Sequence, residues 1–325
     1  MKKGKISNTI LSRSVHKIIT KRKDSFIEKR PAVGMDCGGF KIKHEKGKDT
    51  YVLTSTDNGI NPVINAANNI AACAGKPVSA QISIVMPESC REIKLKNLMK
   101  DIDSDCRLAG FDISGGHTSV RGSVLKPQVS VTGIGVSDSY DLVSYKNAAP
   151  GQQVIMTKWI GIGGIQKIID EKKEELLERF SQDVLDKAYA GRETLLIAKE
   201  AELAKQLGVT AMTDVSDGGI FAALWNFAQA AGVGLDIDFR SIPVCQEIIE
   251  ICELYDINPY KLNSTGCLLM TVEYGCDIIN TLNSHGISAS VIGQTTAGND
   301  KIIRNLDEVR FLDVPEPDEV YKFID

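Results

Sequence analysis

Histidine is scarce in this chain: four among 325 residues, at positions 16, 44, 117 and 285, with no metal-ligand spacing. That excludes a histidine-built metal cage of the usual kind. The eight cysteines, at 37, 73, 90, 106, 245, 252, 267 and 276, form no C-x-x-C pair. Zinc ribbons and thioredoxin-like redox motifs are thereby excluded, and scattered single thiols in a chain this long imply a reducing, cytoplasmic setting. No run approaches the roughly 18 apolar residues of a membrane span. No apolar core follows the basic first 30 residues, so no secretory signal and no membrane partner are expected. Basic residues are not in excess: 38 Lys and Arg face 42 Asp and Glu, a net charge of −4. A general nucleic-acid binder needs a basic surface, so nucleic acid is not expected as a partner. No nucleophile elbow G-x-S-x-G, no Walker A loop, no G-x-G-x-x-G and no kinase signature occurs.

What is present is ordinary globular composition, 43% hydrophobic and 25% charged, in a length that predicts two domains. The turn cluster Asn147 to Gly151 marks the boundary, giving domains 1–149 and 150–325. Near the start, Phe40 to Lys43 alternates and Tyr51 to Thr56 is rich in aromatic, aliphatic and β-branched residues. Around a polar tip with Gly47, these read as a β-hairpin whose open end carries Asp36 and Asp57. Two carboxylates brought to facing positions repel unless a proton or cation lies between them. A hard cation such as Mg²⁺ accepts oxygen ligands of this kind and then holds phosphate. Two solvated strand-end aspartates would leave the same pattern.

Further along, residues 5–20 predict a short helix. Asn61 as N-cap and Pro62 at the first helical position open a helix ending at Gly75. Asn68 and Asn69 sit inside it, poor helix formers in need of a local reason. A strand over 78–86, a helix over 88–109, a strand over 111–114 and a strand over 128–136 complete an α+β first domain with a mixed sheet. The second domain alternates strands and helices from Gln152 to Gln294 and reads as α/β. Gly161 to Gly164 predicts a tight strand–helix turn rather than a phosphate loop, since Gln166 spoils the dinucleotide pattern. The last 30 residues show no functional signal.

Two glycine-rich turns stand out. In Thr213 to Gly219, Asp214 and Asp217 flank a strand end, and Gly218 and Gly219 precede a helix whose free N–H groups suit phosphate. An aspartate N-cap on an ordinary turn is the plain alternative. Gly115-Gly116-His117-Thr118 is read as a second strand-end turn offering an imidazole and a hydroxyl.

Taken together these segments are recognisable. Gly34 to Asp36, Thr54 to Asp57, Asn68 to Pro77, Gly115 to Thr118, Thr132 to Gly135 and Thr213 to Gly219 appear in an order that resembles the aminoimidazole ribonucleotide (AIR) synthase superfamily. The resemblance is nearest to its HypE-like, AIR-synthase-related branch. It implies an N-terminal α+β domain contributing half of a barrel across a homodimer, a C-terminal α/β domain, and ATP with Mg²⁺ in a cleft. By matching motif, Asp36, Asp57 and Asp214 would hold metal. Asp36, Asp57, Asn68, Asn69, Gly115, Gly116, Thr118, Asp214, Gly218 and Gly219 would line the nucleotide, and His117 or Asp217 would handle a proton. Asn69 stands where relatives carry Asp, which weakens one Mg²⁺ position. HypE carries its acceptor thiol near its C-terminus, whereas the last cysteine here is Cys276, so an acceptor other than its own tail is expected. The resemblance thus implies ATP-driven phosphoryl transfer or dehydration on an unidentified small-molecule or protein acceptor. The alternatives are a nucleotide-binding maturation factor without turnover, or a thiamine-monophosphate-kinase-like phosphotransferase.

Overall fold

A computed structural model describes residues 4–20, 27–29, 31–43 and 49–324. The expected hairpin tip at 44–48 and the basic residues 2, 3, 21–23 and 30 lie outside the described residues. In chain order the first part runs α1 (Asn8–Ser14), β1 (Ile27–Lys29), β2 (Gly38–Ile42), β3 (Thr50–Asp57), α2 (Pro62–Ala72), β4 (Lys76–Met86), α3 (Glu92–Ala109), β5 (Asp112–Val120) and β6 (Gln128–Ser137). Its six strands form one open sheet in the order β1-β2-β3-β6-β4-β5. Only β4 and β5 run parallel, so the sheet is mixed as expected, and it is not a closed barrel.

Alternation decides which face is buried. Along β3, Tyr51, Leu53 and Ser55 point into the protein, and along β4 so do Ala80, Ile82, Ile84 and Met86. They pack against Val63, Ala66, Ala67 and Ile70 of α2 and Ile102, Cys106 and Ala109 of α3. Gly75 has no side chain because Leu53 Cδ1 would lie 2.7 Å from a Cβ there, and Ile70 O 2.8 Å. The left-handed residue ending α2 is Ala74, with φ 52°, one position before the expected Gly75. The opposite face of the sheet carries Val78 and Val136, 44% and 39% exposed, uncovered by any helix among the described residues.

The second part holds β7 (Gln153–Thr157), α4 (Ile162–Leu177), α5 (Gln182–Ala188), α6 (Ala198–Gln206), β8 (Ala211–Val215), α7 (Gly219–Ala231), β9 (Gly234–Asp238), α8 (Gln246–Leu254), β10 (Cys267–Val272), α9 (Cys276–Ser284), β11 (Ala289–Thr296), β12 (Lys301–Asn305) and β13 (Glu308–Phe311). Its sheet is ordered β13-β12-β9-β11-β7-β10-β8 and is also mixed, with β9 and β12 its parallel pair. Every residue of β8 and β10 is buried. Helices explain this: α7 covers one face with Ile220, Leu224 and Phe227, while α6 and α9 cover the other with Ala201, Ala204, Ile278 and Leu282.

Several expectations need correction. The helix over 5–20 is shorter: α1 ends at Ser14 and a 3₁₀ turn spans His16–Ile18. Asn61 does precede α2, but its side chain caps nothing there; it accepts a hydrogen bond from Arg192 Nη1 at 2.7 Å. Gly115 to Thr118 is not a turn. It is the middle of β5, paired with Gln81 to Ile84, and a Cβ on Gly116 would lie 2.0 Å from Ile82 O. Pairing with β4 thus extends the strand through both glycines. Gly161 to Gly164 is the tight turn expected, with Gly161 at φ 81° and Gly163 and Gly164 pressed against Leu262, Asn263 and Thr265.

Candidate active site

Five chain segments contribute polar side chains to a cleft of about 660 Å³. β3 delivers Asp57 as its last residue. The loop before β2 delivers Asp36, and β8 delivers Asp214 as its fourth residue. The turn into α7 adds Asp217, and α2 adds Asn65 and Asn69. Asp36 and Asp57 do line one cleft, though not as facing strand partners. β2 begins at Gly38, opposite Thr54, and that register carried back places Asp36 beside Thr56.

Fixed donors orient the carboxylates. Asp36 accepts from Tyr145 Oη at 2.9 Å and from Thr213 Oγ1 at 3.3 Å. Asp57 accepts from the Gly59 N–H at 2.9 Å. Asp217 accepts from Asn263 Nδ2 and from Tyr321 Oη, both at 2.9 Å. Asn69 donates to Ser55 Oγ at 2.8 Å, and so stands in the cleft as a held amide.

The electrostatics follow from burial and crowding. Burial pushes Asp57 up to about 6; the Gly59 N–H opposes this and the charge of Asp217 adds to it. Burial also pushes Asp214 up to about 6, with the Lys5 ammonium as the main opposing influence. Asp36 is raised well above the usual carboxylate range by burial and then by Asp214, against the hydrogen bonds from Tyr145 and Thr213. Carboxylates held this way are short of positive charge, and a cation brought to the cleft lowers their free energy. Among the described residues no group of three or more His, Cys, Asp or Glu side chains is placed to hold a metal ion by itself. The donor set fits Mg²⁺ nonetheless, because Mg²⁺ takes one or two carboxylates and completes its shell with water and phosphate oxygens.

Not every expected residue reaches the cleft. Asn68 is buried away from it, donating to Leu195 O at 2.7 Å and accepting from the Ile197 N–H at 3.1 Å. That is the local reason for an asparagine inside α2. Gly218 is not open to phosphate, since its N–H donates to Asp318 Oδ2 at 2.6 Å. Gly219 is glycine because a Cβ there would fall 2.6 Å from Tyr260 O. Gly115, Gly116, His117 and Thr118 are exposed on β5, the sheet's edge strand. The row of Asp57 runs through Val131 and Ile82 to Gly116. Three strand spacings put the two roughly 14 Å apart.

Other residues at the cleft escaped the sequence reading. Lys5 lines it ahead of α1, and its charge acts on Asp36, Asp57 and Asp214. Tyr145 and Tyr321 line it from distant segments that carry no local motif, and Asn263 donates to Asp217 from behind. Asn65 had a signal: Asn61, Asn65 and Asn69 recur every four residues on one face of α2.

Comparison with known proteins agrees with this architecture. The N-terminal domain described as "AIR synthase related protein" matches residues 28–137, and the C-terminal domain of the same description matches residues 149–304. The chain belongs to the AIR synthase-related family. A putative hydrogenase expression/formation protein of Methanocaldococcus jannaschii is 26% identical over 81% of this chain and 78% of its own length. The carbamoyl dehydratase HypE of Rhizobium leguminosarum bv. viciae is 28% identical over 73% of this chain and 67% of its own. Among solved structures, HypE in a HypE–HypF complex superposes with a TM-score of 0.74 at 22% identity, covering 94% of this chain and 99% of that one. HypE in complex with ATP gives 0.71 at 18% identity, covering 95% and 96%. The AIR-synthase-like, HypE-like fold of two α+β domains is therefore that of this chain. No described helix is long and apolar enough to cross a membrane.

Proposed function

We propose that this chain is an ATP- and Mg²⁺-dependent enzyme that activates an acceptor by phosphoryl transfer or ATP-driven dehydration. The observation that carries the reading is the convergence of Asp36, Asp57, Asp214 and Asp217 on one cleft. Phosphoryl transfer asks for positioning and charge neutralisation more than for a reactive nucleophile. In this reading Asp36, Asp57 and Asp214 line the Mg²⁺ and phosphate position, one or two of them would bind Mg²⁺ directly, and Asn69 helps to position the phosphates. Bound Mg²⁺ supplies neutralisation of phosphate charge. Asp217, fixed by Asn263 and Tyr321, takes the acceptor's proton. Relatives support the chemistry: carbamoyl dehydratases and selenide, water dikinases are among them, and a HypE structure holds ATP.

A homodimer belongs to the same reading. The uncovered sheet face with Val78 and Val136, and the exposed edge β5, are surfaces a second copy would cover. We place Gly115, Gly116, His117 and Thr118 at that interface rather than among the carboxylates of their own chain. The domain division near residue 149 and a cytoplasmic setting, the latter supported by eight free cysteines, complete the reading. Calorimetry with ATP, with and without Mg²⁺, tests it. Mg²⁺-dependent binding that Asp57→Asn weakens is expected, and no binding in either condition would sink it.

One observation favours a second reading. Asn69 is an amide tied to Ser55 where the resemblance implies a carboxylate, which suits a nucleotide-binding maturation factor without turnover. Mg²⁺·ATP binding with no phosphate release in single-turnover experiments would select it.

A further inference from the structure

A second cavity, of about 530 Å³, adjoins the carboxylate cleft. It lies between the residues leading into α1, the first turn of α7 and the segment 315–318. The two cavities share Lys5, Asn8, Asp217 and Asn226. Their partition is an amide pair, Asn8 Nδ2 donating to Asn226 Oδ1 at 2.7 Å. Asp217 is held from two sides at the place where the cavities meet. Most of the second chamber is apolar, with Ile6, Ile10, Ala222, Pro315 and Pro317 in its walls.

The origin of these walls is informative. Residues 5–10 precede the family's N-terminal domain at 28–137, and residues 315–318 follow its C-terminal domain at 149–304. Only the α7 side is built from the shared domains. The remaining walls are the terminal segments outside those two matched spans, laid against the α7 side.

We propose that this chamber is the acceptor site, and that the acceptor is a small uncharged or cationic molecule with an apolar body and a hydroxyl or amine head set at Asp217. The proposal rests on the nucleotide reading of the adjoining cleft. A cavity of this size takes a small molecule rather than a folded partner. Transfer needs donor and acceptor brought into line, and Asp217 lines both cavities. There the acceptor oxygen or nitrogen bonds to the terminal phosphorus, the bond from that phosphorus to the ADP oxygen breaks, and the acceptor's proton passes to Asp217. Among the described residues Asp217 and Asp318 line the chamber with one ammonium, that of Lys5, while Glu316 pairs with Lys261 Nζ at 2.7 Å, so the chamber disfavours an acceptor that is itself a phosphate ester.

Ligand-observed NMR on the full chain tests this, with benzylamine as the cationic probe and phenyl phosphate as the anionic one. Each is measured with and without Mg²⁺ and a non-hydrolysable ATP analogue, whose own binding is followed by calorimetry. Benzylamine saturation transfer is expected, weakened about tenfold or more when Ile6→Trp or Ile10→Trp fills the chamber. Neither residue lines the carboxylate cleft, so nucleotide affinity is expected to stay put. Nucleotide binding with no benzylamine signal, with a signal both variants leave intact, or with phenyl phosphate preferred, overturns the chamber assignment and leaves the nucleotide cleft standing. Benzylamine binding without nucleotide binding overturns the nucleotide reading and, with it, the acceptor role.

Discussion

Asp318 accepts the backbone N–H of Gly218 at 2.6 Å, closing the N-terminal end of α7 with a carboxylate of the chain itself. The same side chain accepts from the Asn263 N–H at 3.1 Å and the Val320 N–H at 2.9 Å. It is buried, and burial followed by the charge of Asp217 pushes it up to about 7. Three residues on, Tyr321 donates to Asp217. A segment with no motif therefore sets both the helix end and the carboxylate given the proton-transfer role.

Asp57→Asn separates metal binding from folding. The amide oxygen still accepts from Gly59, but the charge is gone. Mg²⁺·ATP affinity should fall by about tenfold or more, the equivalent of roughly 1.4 kcal/mol. The metal-free protein should become more stable at neutral pH by roughly 1–3 kcal/mol, because a buried carboxylate shifted from 3.8 to about 6 is costly when ionised. Thermal melts and calorimetry read the two effects separately.

Asp57, Asp214 and Asp318 give a signed pH dependence. Each has a folded pKa above its ordinary value, so the folded chain binds protons more readily than the unfolded one. Their contribution to stability is complete below the ordinary value of 3.8 and is lost as pH rises through about 6 to about 7. Between about pH 4 and about pH 7, metal-free protein should therefore lose stability relative to an Asp57→Asn, Asp214→Asn, Asp318→Asn triple variant. Mg²⁺·ATP binding should tighten over the same range as the carboxylates ionise. A difference between the melting curves that does not change with pH would refute the burial argument.

Asn69→Asp places a carboxylate beside Ser55 in the cleft. The Mg²⁺ concentration needed for half-maximal nucleotide binding should fall several-fold, by about 1 kcal/mol at most, since Mg²⁺ still keeps its water and phosphate ligands. Titration of Mg²⁺ at fixed ATP measures it.

Tyr321→Phe removes the donor to Asp217 Oδ2 and little else. Stability should drop by about 1 kcal/mol, the usual net value of such a bond. The informative readout is kinetic: kcat should fall more than KM for ATP changes, because Asp217 loses one of the two donors that aim it. A purely structural role would lower stability and leave kcat in place.

Val136→Glu places a charge on the uncovered sheet face. If two copies meet there, light scattering should report a dimer for the parent and a monomer for the variant, with circular dichroism unchanged. Burying an unpaired carboxylate in such an interface costs several kcal/mol, enough to dissociate it at micromolar concentration. A parent that is already monomeric would end the dimer proposal.

Local pattern made much of this legible. The aromatic and β-branched run Tyr51 to Thr56 and the aspartates at 57, 214 and 217 could be read directly, because such runs favour strands and a strand end next to glycine marks a turn. Gly115 to Thr118 misled, because two glycines look like a turn until a neighbouring strand supplies hydrogen-bond partners. Gly218 and Gly219 misled for a related reason. A free helix end and one already capped from a hundred residues away have the same local sequence.

The sequence by itself determined two domains, the first α+β and the second read as α/β where the structure has a mixed, mainly antiparallel sheet, together with the family and the aspartates that line the cleft. These depend on short-range periodicity and on motifs whose order along the chain is distinctive. Only the tertiary structure decided that Asp36 leans on Tyr145 and Thr213, that Asn68 is structural while Asn69 faces the cleft, and that Lys5 and Asp318 flank Asp217 from opposite ends of the chain. Those relations are contacts between residues far apart in sequence. They arise from how helices and sheets pack, and packing leaves no period in the chain to read.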